Sequence, residues 1–323
     1  MAQPVRQALL LLRRIRIFGP NSLKMKHALL LTLAFLFAAA CGAQPLRLAV
    51  YQYADNPRVR NLEPLARHLG RQLGTETTVH SYPNVQAMIR GLQAGEVDLG
   101  FISTFGYLLL TLDSTPHPMQ PLCALGSDAP EGQYRTAVVA RRSTGFTRLS
   151  DLAEKSARPA RLALVAPGST SGNLVPRLLL AGAGIGAAEA HFASVRYAGT
   201  HARALELLRL DSADVAAMGS AEWDRLAPAA RKDLVLLQLS GDIPLGPALI
   251  NRQLPEAIRA QVLALLLDLH RSNTGALGAL KAAWTEARNA DRFVPICPRP
   301  YRAYLQGFGS EAAVEALLRT FAR

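Results

Sequence analysis

The 323-residue chain has little of what marks several common protein classes. Its cysteines number three (Cys41, Cys123 and Cys297), none in a CxxC pair, and its seven histidines are dispersed, so no metal site is read from it. No basic stripe interleaves with aromatic residues, which argues against a nucleic-acid surface. Outside one N-terminal stretch, no apolar run reaches the ~18 residues that a membrane-spanning helix needs. No internal repeat stands out. Hydrophobic residues make up 50% of the chain, which excludes a disordered, collagen-like or mucin-like protein. Its length suggests two ordinary domains.

Acidic residues are missing altogether from positions 1–40, which hold six of the basic ones: Arg6, Arg13, Arg14, Arg16, Lys24 and Lys26. The formal charge of +12 for the whole chain therefore drops to +6 beyond residue 40, with 30 basic side chains against 24 acidic. These charges are interspersed and read as a solvated surface, with a modest excess that attracts anions. Lys24-Met25-Lys26-His27 precedes an apolar stretch from Ala28 to Phe37 and then Ala38-Ala39-Ala40-Cys41-Gly42. A positive region, a short apolar region and small residues before a cleavage point form a secretory signal. Residues 1–40 are thus a signal segment, in which 1–24 look like a surplus extension and 25–40 a complete signal peptide. The cysteine after the small residues resembles a bacterial lipobox, although Ala38 stands where Leu is usual. Diacylation of Cys41 and acylation of the new amino group would anchor the protein to a membrane. Export permits a disulfide between Cys123 and Cys297 without establishing one.

Beyond the signal, the apolar spacing alternates between strand and helix. Strands are expected at Leu46–Tyr51, Thr77–Tyr82 and Val97–Ile102, with helices at Leu62–Leu73 and Val85–Ala94. A strand from Tyr134 to Ala140 leads into a second series. That series has strands at Arg161–Val165, Ala193–Tyr197, Val215–Met218 and Leu234–Leu239, and helices at Gly172–Leu180 and His201–Leu208. A short strand, Ala248–Asn251, precedes helices at Pro255–His270, Ala276–Arg288 and Ser310–Phe321. The alternation predicts an α/β protein of two lobes: 44–140 in lobe 1, 141–241 in lobe 2, and 242–323 returning to lobe 1 with the C-terminal helices. Ligands of open α/β sheets bind beyond the carboxyl ends of the strands. The loops after Val50, Phe101, Val165, Tyr197 and Met218 are where a site is expected.

The sharpest local motif is Pro167-Gly168-Ser169-Thr170-Ser171-Gly172, between a strand and a helix. Its hydroxyls suit both capping the helix and holding an anion at the positive end of the helix dipole. Around it stand Asn61-Leu62-Glu63-Pro64-Leu65-Ala66, Gly91-Leu92-Gln93-Ala94-Gly95-Glu96-Val97-Asp98-Leu99-Gly100-Phe101, Gly106-Tyr107, Gly199-Thr200-His201 and Ile243-Pro244 with Pro247. From about Leu46 to about Pro255 the chain resembles the substrate-binding proteins of phosphate, phosphite and phosphonate ABC transporters. The resemblance implies a two-lobed type II periplasmic binding protein with a hinge between its α/β domains and no catalytic activity or cofactor. It would be an exported, lipid-anchored monomer that closes on a small oxyanion and hands it to an ABC permease. A sensory subunit of a membrane signalling protein is the rival role, and an exported hydrolase the third.

Carried over residue by residue, the resemblance nominates Ser169, Thr170, Ser171 and His201, the histidine adding charge when protonated. Tyr51, Tyr53 and Tyr107 are the first lobe's candidates, though each ring also suits a core position. Ser103 and Thr104 stand where some family members place a Tyr. Two acidic residues of aminophosphonate binders are replaced by Ala202 and Gly246, and Glu222 has no secure equivalent. A compact phosphate, phosphite or simple alkylphosphonate is therefore expected to bind better than an aminoalkylphosphonate. Gly182-Ala183-Gly184-Ile185-Gly186 follows a helix rather than a strand, so it reads as helix termination and not as a dinucleotide fingerprint.

Overall fold

A computed structural model describes residues 45–53, 56–112, 116–127, 134–154, 159–296 and 299–321. The signal segment, Cys41 and Cys297 lie outside the described residues. Among the described residues no helix is long and apolar enough to cross a membrane.

The first strand, β1 (Leu46–Tyr51), shows why the chain forms layers. Leu46, Leu48 and Val50 enter one hydrophobic cluster, and Ala49 and Tyr51 enter another on the opposite face. A strand buried on both faces must be apolar almost throughout, as this one is. Around it, β2 (Thr77–Tyr82) and β3 (Leu99–Phe101) pair in parallel with β1 through crossover helices α1 (Arg58–Leu73) and α2 (Val85–Gln93). The sheet is completed by three antiparallel additions: β4 (Met119–Gly126), β10 (Pro247–Asn251) and β11 (Arg292–Pro295). Its order is β11-β4-β10-β3-β1-β2.

The second sheet has the order β7-β6-β8-β5-β9. Its strands are β5 (Thr136–Arg141), β6 (Arg161–Leu164), β7 (Ser194–Tyr197), β8 (Val215–Gly219) and β9 (Leu234–Leu239). In β8, Val215 and Ala217 face one cluster while Ala216 and Met218 face the other. Both sheets fasten the start of one parallel strand, β1 and β6, by the same device. The Arg47 backbone N–H donates to Asp98 Oδ2 at 2.9 Å, and the Arg161 N–H donates to Asp214 Oδ2 at 2.8 Å. Each arginine side chain also returns to its own aspartate. The second pair, with Arg161 bonds as the main cause, holds the Asp214 carboxyl well below the usual carboxylate range.

Two sheets flanked by helices give the two-lobed α/β architecture read from the sequence. Three details differ. Strands β4 and β11 were not foreseen, because each pairs antiparallel with distant chain and carries no crossover helix to announce it. The first sheet gives way to the second before residue 136, not after 140. Strand β5 is hydrogen-bonded on both edges, to β8 and to β9, inside the second sheet. Finally, the helix expected over Ala276–Arg288 runs only from Thr274 to Ala283 (α3). Its terminal carbonyls are taken by tertiary donors: Asn56 Nδ2 reaches the Ala282 oxygen at 3.0 Å, and Arg58 Nε reaches that of Ala283 at 3.0 Å. A helix end whose last carbonyls are satisfied from outside has no need of another turn.

Among the described residues Cys123, buried in the first lobe, has no disulfide partner, and burial raises its thiol pKa to about 12.

Candidate functional site

The hydroxyl loop leaves β6 and turns into a helix that begins with an unusually wide turn. Leu174 N–H bonds to the Ser169 carbonyl at 3.1 Å, five residues back, before regular α-helix α4 (Val175–Gly182) takes over. Such π-type turns recur at functional sites. Ser169 caps this helix, its Oγ accepting from the Gly172 N–H at 3.1 Å. The loop is pressed against the strand end, where the Val165 N–H donates to the Gly172 carbonyl at 2.8 Å. Only glycine fits there, since a Cβ on residue 172 would lie 2.2 Å from Val165 Cγ2. Helix termination after Gly182 bears out the reading of the glycine-rich segment that follows.

Phenols from two directions close on the hydroxyls. Tyr134, at the entry to β5, donates to Ser171 Oγ at 2.9 Å, and its oxygen accepts from the Ser171 backbone N–H at 3.2 Å. Tyr53, from the chain beyond β1, shares a hydrogen bond with the Ser169 side chain. Burial pushes Tyr53 up to about 12 and Tyr134 well above the ordinary tyrosine value, so both are neutral hydroxyls at physiological pH.

His201 opens helix α5 (His201–Arg209), whose cap is Thr200. Its ring stands beside Gly219 at the end of β8, and the Gly219 N–H donates to Nδ1 at 2.9 Å. A Cβ on Gly219 would sit 3.5 Å from Ser171 Oγ and 3.7 Å from the His201 ring, so the histidine and the serine flank the same strand end. Because Nδ1 accepts, the neutral ring carries its proton on Nε2. Desolvation lowers the His201 pKa to about 4, against a smaller opposing pull from Glu222. The sequence reading had this histidine add charge when protonated, and the structure makes it a neutral N–H donor near neutral pH. The reason is burial together with an engaged Nδ1.

The remaining nominated residues divide between the lobes' contact and the core. Thr170 Oγ1 accepts the Phe105 backbone N–H at 3.1 Å, a hydrogen bond from one lobe to the other. Ser103 caps the helix Thr104–Leu112 by accepting from Gly106 N–H at 3.2 Å, and Thr104 Oγ1 donates to the Pro244 carbonyl. Tyr51 is 2% exposed, with its ring face against the Arg58 guanidinium at 4.5 Å. Tyr107 is packed edge-on to Tyr301, ring centroids 4.7 Å apart. The structure thus brings together Ser169, Ser171, Tyr53 and His201, with Thr170 at the lobe contact. It shows Thr104, Tyr51 and Tyr107 engaged in holding lobe 1.

Sequence reasoning missed three participants. Tyr134 looked like the first residue of a strand. Arg58 is 4% exposed and lies between the rings of Tyr51, Tyr53 and Trp284, at 4.5, 4.7 and 4.7 Å from their centroids. Glu286 follows the early end of α3 and interacts electrostatically with Arg58, Tyr53 and Tyr134. Spacing gave no signal for any of them, because tertiary folding alone brings them to the loop. Gly246, where an acidic side chain is missing, has no room for one, as its Cβ would lie 2.0 Å from the Ile102 carbonyl oxygen.

The cluster is a set of O–H and N–H donors set between two lobes, suited to removing an oxyanion from water. Among the described residues no group of His, Cys, Asp and Glu could hold a metal ion. Several solved structures are similar in fold. A Xanthomonas citri protein bound to chloride ion matches with a TM-score of 0.65 and 20% identity, over 86% of this chain and 99% of that one. PhnD1 from Prochlorococcus marinus, in complex with methylphosphonate, matches with a TM-score of 0.63 and 16% identity, over 85% and 97%. A binding protein component of an ABC phosphonate transporter from Pseudomonas aeruginosa matches with a TM-score of 0.60 and 17% identity, over 86% and 95%. No curated protein sequence matches significantly. The family model for ABC transporter, phosphonate, periplasmic substrate-binding proteins matches residues 49–301, so the chain belongs to that family, whose members are transporter binding components and not enzymes.

Proposed function

We propose that this protein is the exported, lipid-anchored binding subunit of an importer and that it closes its two lobes on one small tetrahedral phosphorus oxyanion. The observation that carries the reading is the convergence of Ser169, Ser171, Tyr53, Tyr134 and the Nε2–H of His201 on one place between the lobes. Ser171 Oγ accepts the Tyr134 phenol proton, which leaves its own O–H for a ligand, and Ser169 and Tyr53, sharing one hydrogen bond, keep one O–H between them for it. Hydrogen bonds to a charged group contribute roughly 1.5–3 kcal/mol each. The Phe105 N–H to Thr170 bond joins the lobes in this conformation and supports closure by a hinge movement. The signal pattern ending at Cys41 supports export and acylation, with a permease as the membrane partner.

Calorimetry with phosphate, phosphite, methylphosphonate and methanesulfonate tests the ligand class. Binding of at least one phosphorus oxyanion, lost in Ser171→Ala, is the expected result. A heat signal from the sulfonate alone would overturn it. Anchoring is tested separately: Cys41→Ser should release the exported protein from the membrane fraction, and a mature wild-type chain without acyl groups by mass spectrometry would refute the anchor.

A further inference from the structure

The chain returns to the first lobe for its last helices, and Phe321, beyond them, reaches back to the second. Tyr301 fastens the helix Arg299–Gln306 by donating to the Leu245 carbonyl at 2.7 Å and by packing edge-on to Tyr107. Val314 and Leu318 of the next helix, Glu311–Arg319, are buried in the same cluster as Phe105 and Leu108. Phe321 then meets both lobes. Its ring stands edge-on to that of Phe105 with centroids 5.2 Å apart, and the Arg177 guanidinium of α4 lies 5.8 Å from its centroid. Leu174 and Leu178, on the same helical run as Arg177, are buried in the cluster that holds Val314 and Leu318.

Both ends of this bridge bear on the hydroxyl loop. Phe105 is the residue whose backbone N–H donates to Thr170 Oγ1. Arg177 holds the loop from behind: its Nε donates to Asn173 Oδ1 at 2.9 Å, and Asn173 Nδ2 donates to the Pro167 carbonyl at 2.7 Å, tying the end of the loop to its start. The Arg177 charge is already balanced by Glu189, to which Nη1 donates at 2.9 Å, so Phe321 adds a ring contact and not a counter-charge. Residues 170–182 form one helical run, from the wide turn into α4, so Thr170 and Arg177 move together. Any movement that parts Phe105 from Thr170 therefore parts the Phe321 bridge as well. It also returns to water the apolar surface of Leu174 and Leu178, which favours the closed arrangement.

We infer that Phe321 is a clasp between the lobes: the C-terminal segment holds them in this closed arrangement and thereby sets how firmly the hydroxyl loop retains its ligand. The clasp itself depends only on the lobe contact, whereas its effect on affinity rests on the oxyanion reading of the Ser169–Ser171 loop. A protein whose binding-competent arrangement is only partly populated binds in proportion more weakly, so loosening the clasp weakens binding without touching a ligand contact.

The test compares wild type with Phe321→Ala and with Phe321→Tyr, which keeps the ring. By small-angle scattering, ligand-free Phe321→Ala should have a larger radius of gyration than ligand-free wild type, and Phe321→Tyr should match wild type. Stopped-flow binding is then measured with phosphate, phosphite and methylphosphonate. Dissociation of each anion that binds wild type should be about threefold to tenfold faster from Phe321→Ala, the scale of one aromatic contact, and its association should be no slower. A misshapen loop would slow association instead, and that result overturns the clasp. Identical ligand-free scattering of wild type and Phe321→Ala also overturns it. A larger variant particle with unchanged dissociation overturns the hold on the ligand and leaves only a lobe contact. If none of the three anions binds wild type, the oxyanion reading fails, and the scattering still decides the clasp. An unchanged circular dichroism spectrum of Phe321→Ala keeps a folding defect out of the comparison.

Discussion

The neutral state of His201 makes a quantitative prediction about acid stability. In the folded, ligand-free protein its pKa is about 4, because the ring is desolvated; the Gly219 N–H engages Nδ1 as an acceptor. In the unfolded chain the imidazole returns to about 6.5. Between these values the unfolded state binds a proton that the folded state refuses. Stability is therefore fully present above pH 6.5 and is lost as the pH falls toward 4. From pH 6.5 to 4.5 the linkage relation gives a loss of up to about 2 kcal/mol from this one group. The ring is only partly buried by its surface exposure, so this figure is an upper bound. Replacing His201 with Gln preserves an acceptor for Gly219 and an N–H donor but removes the titration. Urea unfolding of both proteins across pH 4.5–7.5 should show a shallower acid slope for the variant by about that amount. Proton-detected NMR should find the His201 imidazole neutral, with its proton on Nε2, at pH 6. Parallel slopes, or a histidine titrating near 6.5, would refute the argument that burial and Gly219 hold this ring neutral.

Ser169→Ala removes both a helix cap and a candidate ligand donor. Stability should drop by about 1 kcal/mol in thermal melts, while affinity for the bound oxyanion should fall about tenfold or more by calorimetry. Thr170→Val keeps the side-chain volume but deletes the acceptor for Phe105 N–H, so small-angle scattering should show a more open ligand-free protein. Gly172→Ala forces a methyl to within 2.2 Å of Val165, and should cost about 1–3 kcal/mol in urea unfolding through overpacking. Tyr134→Phe leaves Ser171 without its phenolic partner, and should weaken ligand binding several-fold with an unchanged circular dichroism spectrum.

The amino-acid sequence alone carried the layered α/β alternation, because strands buried on both faces must be continuous apolar runs and their crossover helices must be amphipathic. It also carried the hydroxyl loop, since capping needs Ser, Thr or Asn at that local position whatever surrounds it. Ser169, Ser171 and His201 follow from that local chemistry and from resemblance. Tertiary structure decided what depends on distant chain. Strands β4 and β11 exist only because a sheet edge is there to pair with them. The helix after Asn273 stops at Ala283 because Asn56 and Arg58, more than 200 residues earlier, take its last carbonyls. The charge of His201 was likewise beyond the sequence: a residue name fixes which protons a side chain can hold, but burial and the Gly219 N–H decide which of them it does hold.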